Sequence, residues 1–141
     1  MGRAYISSAT KKIVFERAKG LCEYCQCPSD FSTEPFSIEH IIPKSKNGTD
    51  NPDNLALACI GCNICKSDKI AFLDTITQEM FPLYNPRIHI WGEHFIWDES
   101  ITSMIGKTAI GRVTINAIKL NRRQLKNLRR ALIAIGEHPP Y

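Results

Sequence analysis

Nowhere in these 141 residues is there an apolar run near the roughly 20 residues that a bilayer crossing needs. A membrane-spanning chain is thereby excluded. The opening stretch Met1-Gly2-Arg3-Ala4-Tyr5-Ile6 has no hydrophobic segment of the kind a secretory leader carries, so the protein is expected in a reducing cytoplasm, with no membrane partner. Internal repeats and low-complexity tracts are missing too. Carboxylates are absent from one long window: none lies between Glu99 and Glu137, where Lys107, Arg112, Lys119, Arg122, Arg123, Lys126, Arg129 and Arg130 fall.

What is present is ordinary for a folded protein, with 43% hydrophobic and 23% charged residues. That excludes disorder and fits one small core, or two small lobes. The formal charge of +4 conceals an asymmetry. Residues 1–105 hold ten basic and thirteen acidic side chains, whereas residues 106–141 hold eight basic and one acidic. A cationic C-terminal block of this kind favours a polyanionic partner.

Coarse patterning predicts a first helix from Ser8 or Thr10 to Lys19, with Ile13, Val14 and Ala18 on one side and Gly20 as its stop. A β-rich stretch, Phe36 to Pro43, leads into a loop of turn formers from Lys44 to Asn54, and Leu55 to Ala58 returns as a strand. A helix is expected from Cys62 or Asn63 to about Leu73, on the recurrence of Ile64, Ala71, Phe72 and Ile76. Pro82 to Pro86 marks a lobe boundary. Beyond it come a hairpin turning at Asp98-Glu99-Ser100 and two helices, opening after Thr108 and Asn121 and ending at Gly136.

Six cysteines in a reducing compartment point to metal ligands or buried thiols rather than disulfides. Cys22-Glu-Tyr-Cys25 and Cys59-Ile-Gly-Cys62 are two knuckles, each able to present two thiolates to one tetrahedral ion. Together they predict a saturated, architectural Cys₄ zinc site. Cys27 and Cys65 lie outside the knuckles and are expected to be small buried thiols.

Between and beside the knuckles lie Glu39-His40, Asn54, Asn63 and Lys66. The pattern Cys-x-x-Cys, Glu-His-Ile-Ile-Pro-Lys-Ser, Asn-Gly, Asp-Asn-Leu, Cys-x-x-Cys-Asn-x-x-Lys resembles the HNH endonuclease family, and the stretch from Asn85-Pro-Arg to Leu120-Asn-Arg122 is similar to the tail of a bacterial, notably cyanobacterial, branch of short HNH proteins. The resemblance implies an α+β architecture. A ββα-metal core stapled by zinc would occupy residues 1–81, and a hairpin with two basic helices would occupy residues 82–141 and pack on it.

By the same resemblance, His40 is the general base, Asn54 orients its ring, and Glu39 and Asn63 ligate a catalytic Mg²⁺ or Mn²⁺. Lys66 would contact substrate phosphate; apart from the resemblance, Lys44 and Lys46 in the loop could touch phosphate as well. The chemistry is coherent, since phosphodiester hydrolysis calls for a base that titrates near neutrality and a hard cation held by oxygen donors. Position 39 departs from the commoner Asp or His, and position 63 carries Asn where a third His often sits. The last helix sets Leu125, Leu128, Leu132 and Ile135 on one stripe and Arg122, Lys126, Arg129 and Arg130 opposite, as a solvated face or a DNA-phosphate contact. The expected function is metal-dependent hydrolysis of DNA by a monomer or homodimer. A non-catalytic zinc DNA-binding module and a ribonuclease or structure-selective nuclease are the alternatives. For Arg87 and His94 only packing or an internal ion pair is expected.

Overall fold

In a computed structural model, residues 6–140 are described; residues 1–5, part of the stretch searched for a leader, and residue 141 lie outside them. Helix α1 (Ser8–Arg17) takes the earlier of the two expected starts, where the Ser7 hydroxyl caps it by accepting the Thr10 amide at 3.1 Å. It ends where Lys19 (φ 55°) and then Gly20 (φ 70°) turn left-handed, their amides donating back to Glu16 O and Phe15 O. Val14 and Ala18 are buried, whereas Ile13 faces outward.

Strands β1 (Ser37–His40) and β2 (Leu55–Ala58) form an antiparallel pair in which His40 stands opposite Leu55 and Ser37 opposite Ala58. Alternation gives β2 two jobs. Leu55 and Leu57 join Val14 and Ala18 beneath α1, while Ala56 and Ala58 join the main core with Cys22, Tyr24, Tyr84, Phe95, Val113 and Leu125. Both faces of the short sheet are therefore covered, which fixes its register.

Helix α2 (Ile60–Lys66) starts earlier and stops sooner than expected. Ser67 takes a φ of 52° and turns the chain, and residues read as the helix's second half instead form β3 (Ala71–Asp74), paired with β4 (Glu79–Pro82). The apparent helical spacing was accidental: Ile64 and Ile76 are 70% and 71% exposed and share no buried face. The β3–β4 hairpin is held by Asp74, which accepts from Thr77 and takes both Arg112 Nε and Nη2, at 3.0 and 2.9 Å.

After Pro82 the chain does not leave the core. Leu83 and Tyr84 are buried, and their amides donate to Ile70 O and Thr114 Oγ1. A short helix, α3 (Trp91–His94), precedes the expected hairpin, β5 (Phe95–Trp97) with β6 (Met104–Gly106). Helix α4 (Ala109–Ile118) is capped by Thr108, as its position predicted, and α5 (Arg123–Ala134) follows a left-handed Lys119. The main buried cluster is continuous across Pro82, from Cys22 to Leu125. The architecture is α+β. No helix among the described residues is long and apolar enough to cross a membrane.

Candidate functional site

The first knuckle is a tight turn. The Cys22 amide donates to Cys27 O, Gln26 takes a φ of 68°, and the Cys25 amide approaches Cys22 Sγ at 3.5 Å. The second knuckle is the N-terminus of α2, where Cys59 is itself the cap and its sulfur accepts the Cys62 amide at 3.4 Å. Because Cys59 directly follows β2, the sheet carries the second knuckle to the first. The sulfurs of Cys22, Cys25, Cys59 and Cys62 all lie within 4.8 Å of one another, and all four residues are buried. Ligands about 2.3 Å from a tetrahedral ion would be separated by about 3.8 Å. Cys25 and Cys59 stand at 3.8 Å, so the donor set fits one ion of the zinc type. Cys27 adds a neighbouring thiol, 3.3 Å from Cys25, and Cys65 is half-buried.

His40 closes β1 and is half-buried. Its Nε2 is 2.7 Å from Asp50 Oδ1, and Lys44 Nζ is 3.4 Å from the other oxygen of the same carboxylate. The bond from His40, followed by Lys44, holds the Asp50 carboxyl below its usual range. Asp50 was missed in the sequence because it sits among turn formers. No spacing rule marks it, since loop geometry alone brings it back to the strand end.

Asn54 does something other than orient the imidazole. Its Oδ1 accepts the Ile42 amide, and its Nδ2 donates to Ile42 O and Thr49 O, each at 2.9 Å. With Ile41 N donating to Asn54 O, the side chain pins both ends of the loop that delivers Asp50. Asn54 thus shapes the site, and Asp50 meets the ring.

Glu39 and Lys66 also depart from expectation. Adjacent to His40, Glu39 points to the opposite side of the sheet, where its carboxylate is buried with Lys66 Nζ at 2.6 Å and the Tyr24 hydroxyl at 2.8 Å. Burial raises its pKa and Lys66 opposes that rise. Burial also pushes the Tyr24 phenol up, with Glu39 adding to it. Lys66 is 1% exposed and donates further to His40 O and Ile41 O. It braces the strand end from within and does not reach a phosphate.

This arrangement does not fit the expected oxygen-ligand ion. The Glu39 carboxylate is already engaged, and Asn63 alone offers one neutral donor, so no catalytic step is routed through Mg²⁺ or Mn²⁺. Asn63 is half-buried and lines a groove of about 1080 Å³ with Lys11, Lys12, Phe15 and Phe36.

The C-terminal cations divide. Arg129 is 1% exposed, donates to Thr102 O and Leu120 O, and lies 5.0 Å over the Trp97 ring, so it belongs to the core rather than to a solvated face. The Arg122 guanidinium rests on the cysteine cluster. Arg130 is exposed and Lys126 half-buried. Of the two roles left open for Arg87, packing or an internal ion pair, it takes the second, with Glu23, whose other oxygen accepts the Leu57 amide. His94 bonds Thr108 Oγ1 beside Tyr84.

Residues 22–69 match the HNH endonuclease family model. Over 123 residues the chain is 27% identical to Septu protein PtuB of Bacillus thuringiensis, covering 86% of this chain and 43% of that relative. The chain thus spans less than half the length of the curated relative it matches. No solved structure gives a significant match. The stretch that matches the HNH endonuclease model, residues 22–69, carries the cysteine cluster, the β1–β2 pair and α2.

Proposed function

We propose that this protein hydrolyses DNA phosphodiester bonds with His40 as general base. The observation that carries the reading is the His40–Asp50 pair, set at a strand end inside the HNH region. With Nε2–H donating to the Asp50 carboxylate, the imidazole is held in one tautomer and its Nδ1 lone pair is free to take a proton from water. The anionic partner then stabilises the imidazolium as it forms, the role an aspartate plays behind a catalytic histidine elsewhere. Lys66 grips the carbonyls of His40 and Ile41 from below, so the ring's backbone is fixed before substrate arrives.

Lys44 is half-exposed and paired with the Asp50 carboxylate beside the base, a position suited to a substrate phosphate. The cysteine cluster contributes architecture: with four sulfurs on one zinc ion no position is left for water. One such site per chain cuts one strand at a time, so a single chain produces a nick.

The test is incubation of the purified protein with supercoiled plasmid and, in parallel, with single-stranded DNA and RNA. Conversion of plasmid to open circles, with no cutting of RNA, is expected. Cutting of RNA alone would replace the substrate class, and binding without cutting would favour a zinc-containing binding module.

A further inference from the structure

We propose that Arg122 is the counter-cation of the cysteine cluster and that it couples metal retention to the docking of the C-terminal helices. Its Nη1 lies 3.6 Å from Cys62 Sγ, and its Nη2 lies 3.6 Å from both Cys59 and Cys62 Sγ. The same fork donates to Lys119 O at 3.2 Å and Ile118 O at 3.4 Å, the carbonyls that end α4. One side chain therefore joins the second knuckle to the corner between α4 and α5.

The knuckle is shaped to receive it. A Cβ on Gly61 would stand 2.5 Å from Arg122 Nη2 and 3.1 Å from its Cζ, so a side chain at this position would push the guanidinium from its place on the sulfurs. A Cys-x-x-Cys turn does not by itself demand glycine at its third position, and the first knuckle has Tyr24 there.

The chemistry follows from charge. Four thiolates around a dication carry a net double negative charge, and burying it is unfavourable unless a cation or hydrogen-bond donors face the sulfurs. A guanidinium supplies both in one planar group that never deprotonates near neutrality. Arg122 covers Cys59, the most exposed of the four ligands at 8%, on the side where a cavity lined by Phe31, Glu34 and Leu125 opens. Protons and competing chelators reach the ligands from that side. Groups that orient and hydrogen-bond metal ligands typically contribute about 10- to 100-fold to metal affinity.

The experiment measures zinc release from the purified, folded protein into excess chelator, followed with a metallochromic indicator. Arg122→Gln should release zinc about 10- to 100-fold faster than wild type. Arg122→Lys should fall between them, since it keeps the charge and loses the fork. Gly61→Ala should accelerate release by displacing the guanidinium, and adding it to Arg122→Gln should bring little further change. Arg130→Gln makes the same change of net charge away from the cluster and should release zinc as wild type does. If Arg122→Gln does not fold, Arg122→Lys and Gly61→Ala carry the comparison. Wild-type release from Arg122→Gln, full additivity with Gly61→Ala, equal acceleration by Arg130→Gln, or a purified protein without zinc would each overturn the proposal. None of these readouts depends on whether the protein cuts nucleic acid.

Discussion

His40 Nε2 and Asp50 Oδ1 stand 2.7 Å apart although they lie ten positions apart in the sequence. The loop closes because Asn54 binds the backbone at Ile42 and Thr49, so the pair is built by turn geometry rather than by the strand. Asp50→Asn should preserve the fold, since the change is isosteric at a side chain that is 34% exposed, and slow cleavage by up to about 10⁴-fold, the loss seen when a comparable carboxylate behind a catalytic histidine is amidated. Single-turnover nicking with zinc content matched to wild type checks this. The sign with pH is also set. Because His40 depresses the Asp50 pKa, the paired carboxylate persists above the ordinary carboxylate range and is lost only as pH falls through its lower folded value.

The Glu39–Lys66 pair predicts a stability pattern. Lys66→Met should leave a buried carboxylate without its cation and cost about 3–5 kcal/mol, and Glu39→Gln with Lys66→Met together should cost less than Lys66→Met alone. Denaturant titration of wild type, single and double variants reads the difference directly. Near-wild-type stability with weakened DNA binding in Lys66→Met would restore the phosphate role.

The two kinds of C-terminal arginine should separate experimentally. Where Arg130 and Lys126 each neutralise a DNA phosphate, changing either to Gln should lower the slope of log K against log salt by about 0.9, with stability unchanged. Arg129→Gln should instead lower the melting temperature, because its carbonyl partners Thr102 and Leu120 would be deprived of a buried donor. Duplex-DNA titrations at several salt concentrations, alongside thermal melts, distinguish packing from binding.

How far the sequence could be read depended on the range of each interaction. The cysteine knuckles, the β1–β2 pair and the Thr108 cap were legible because each follows from local spacing or from one side chain's preference. Helix α2 was drawn too long because Ala71 and Phe72 happen to fall in helical phase with Ile64, and the turn at Ser67 leaves no marker such as Gly or Pro. Lys66, Arg122 and Arg129 were read as surface cations because charge predicts exposure. Their burial depends on partners 9 to 63 positions away, the carbonyls of His40 and Leu120 and the sulfurs of Cys59 and Cys62 among them. Asp50 was hidden for the same reason.

Asp74 offers a pH test of the link between the β3–β4 hairpin and α4. Arg112, with Thr77 assisting, holds its carboxyl well below the ordinary value. A depressed folded pKa stabilises above the unfolded value of about 3.9 and loses that contribution as pH falls through the folded one. Asp74→Asn should therefore be less stable than wild type at pH 7, with the gap narrowing below about pH 3.9. Urea midpoints for both proteins across that range check it, and a constant gap would assign the loss to the Thr77 turn alone.

The most direct measurement is plasmid nicking by His40→Ala against wild type at equal zinc content. Removal of a general base typically costs about 10²- to 10⁴-fold, so the variant should keep its zinc, its fold and its DNA affinity while nicking at least about a hundredfold more slowly. Nicking at the wild-type rate by a zinc-loaded His40→Ala protein would contradict the account.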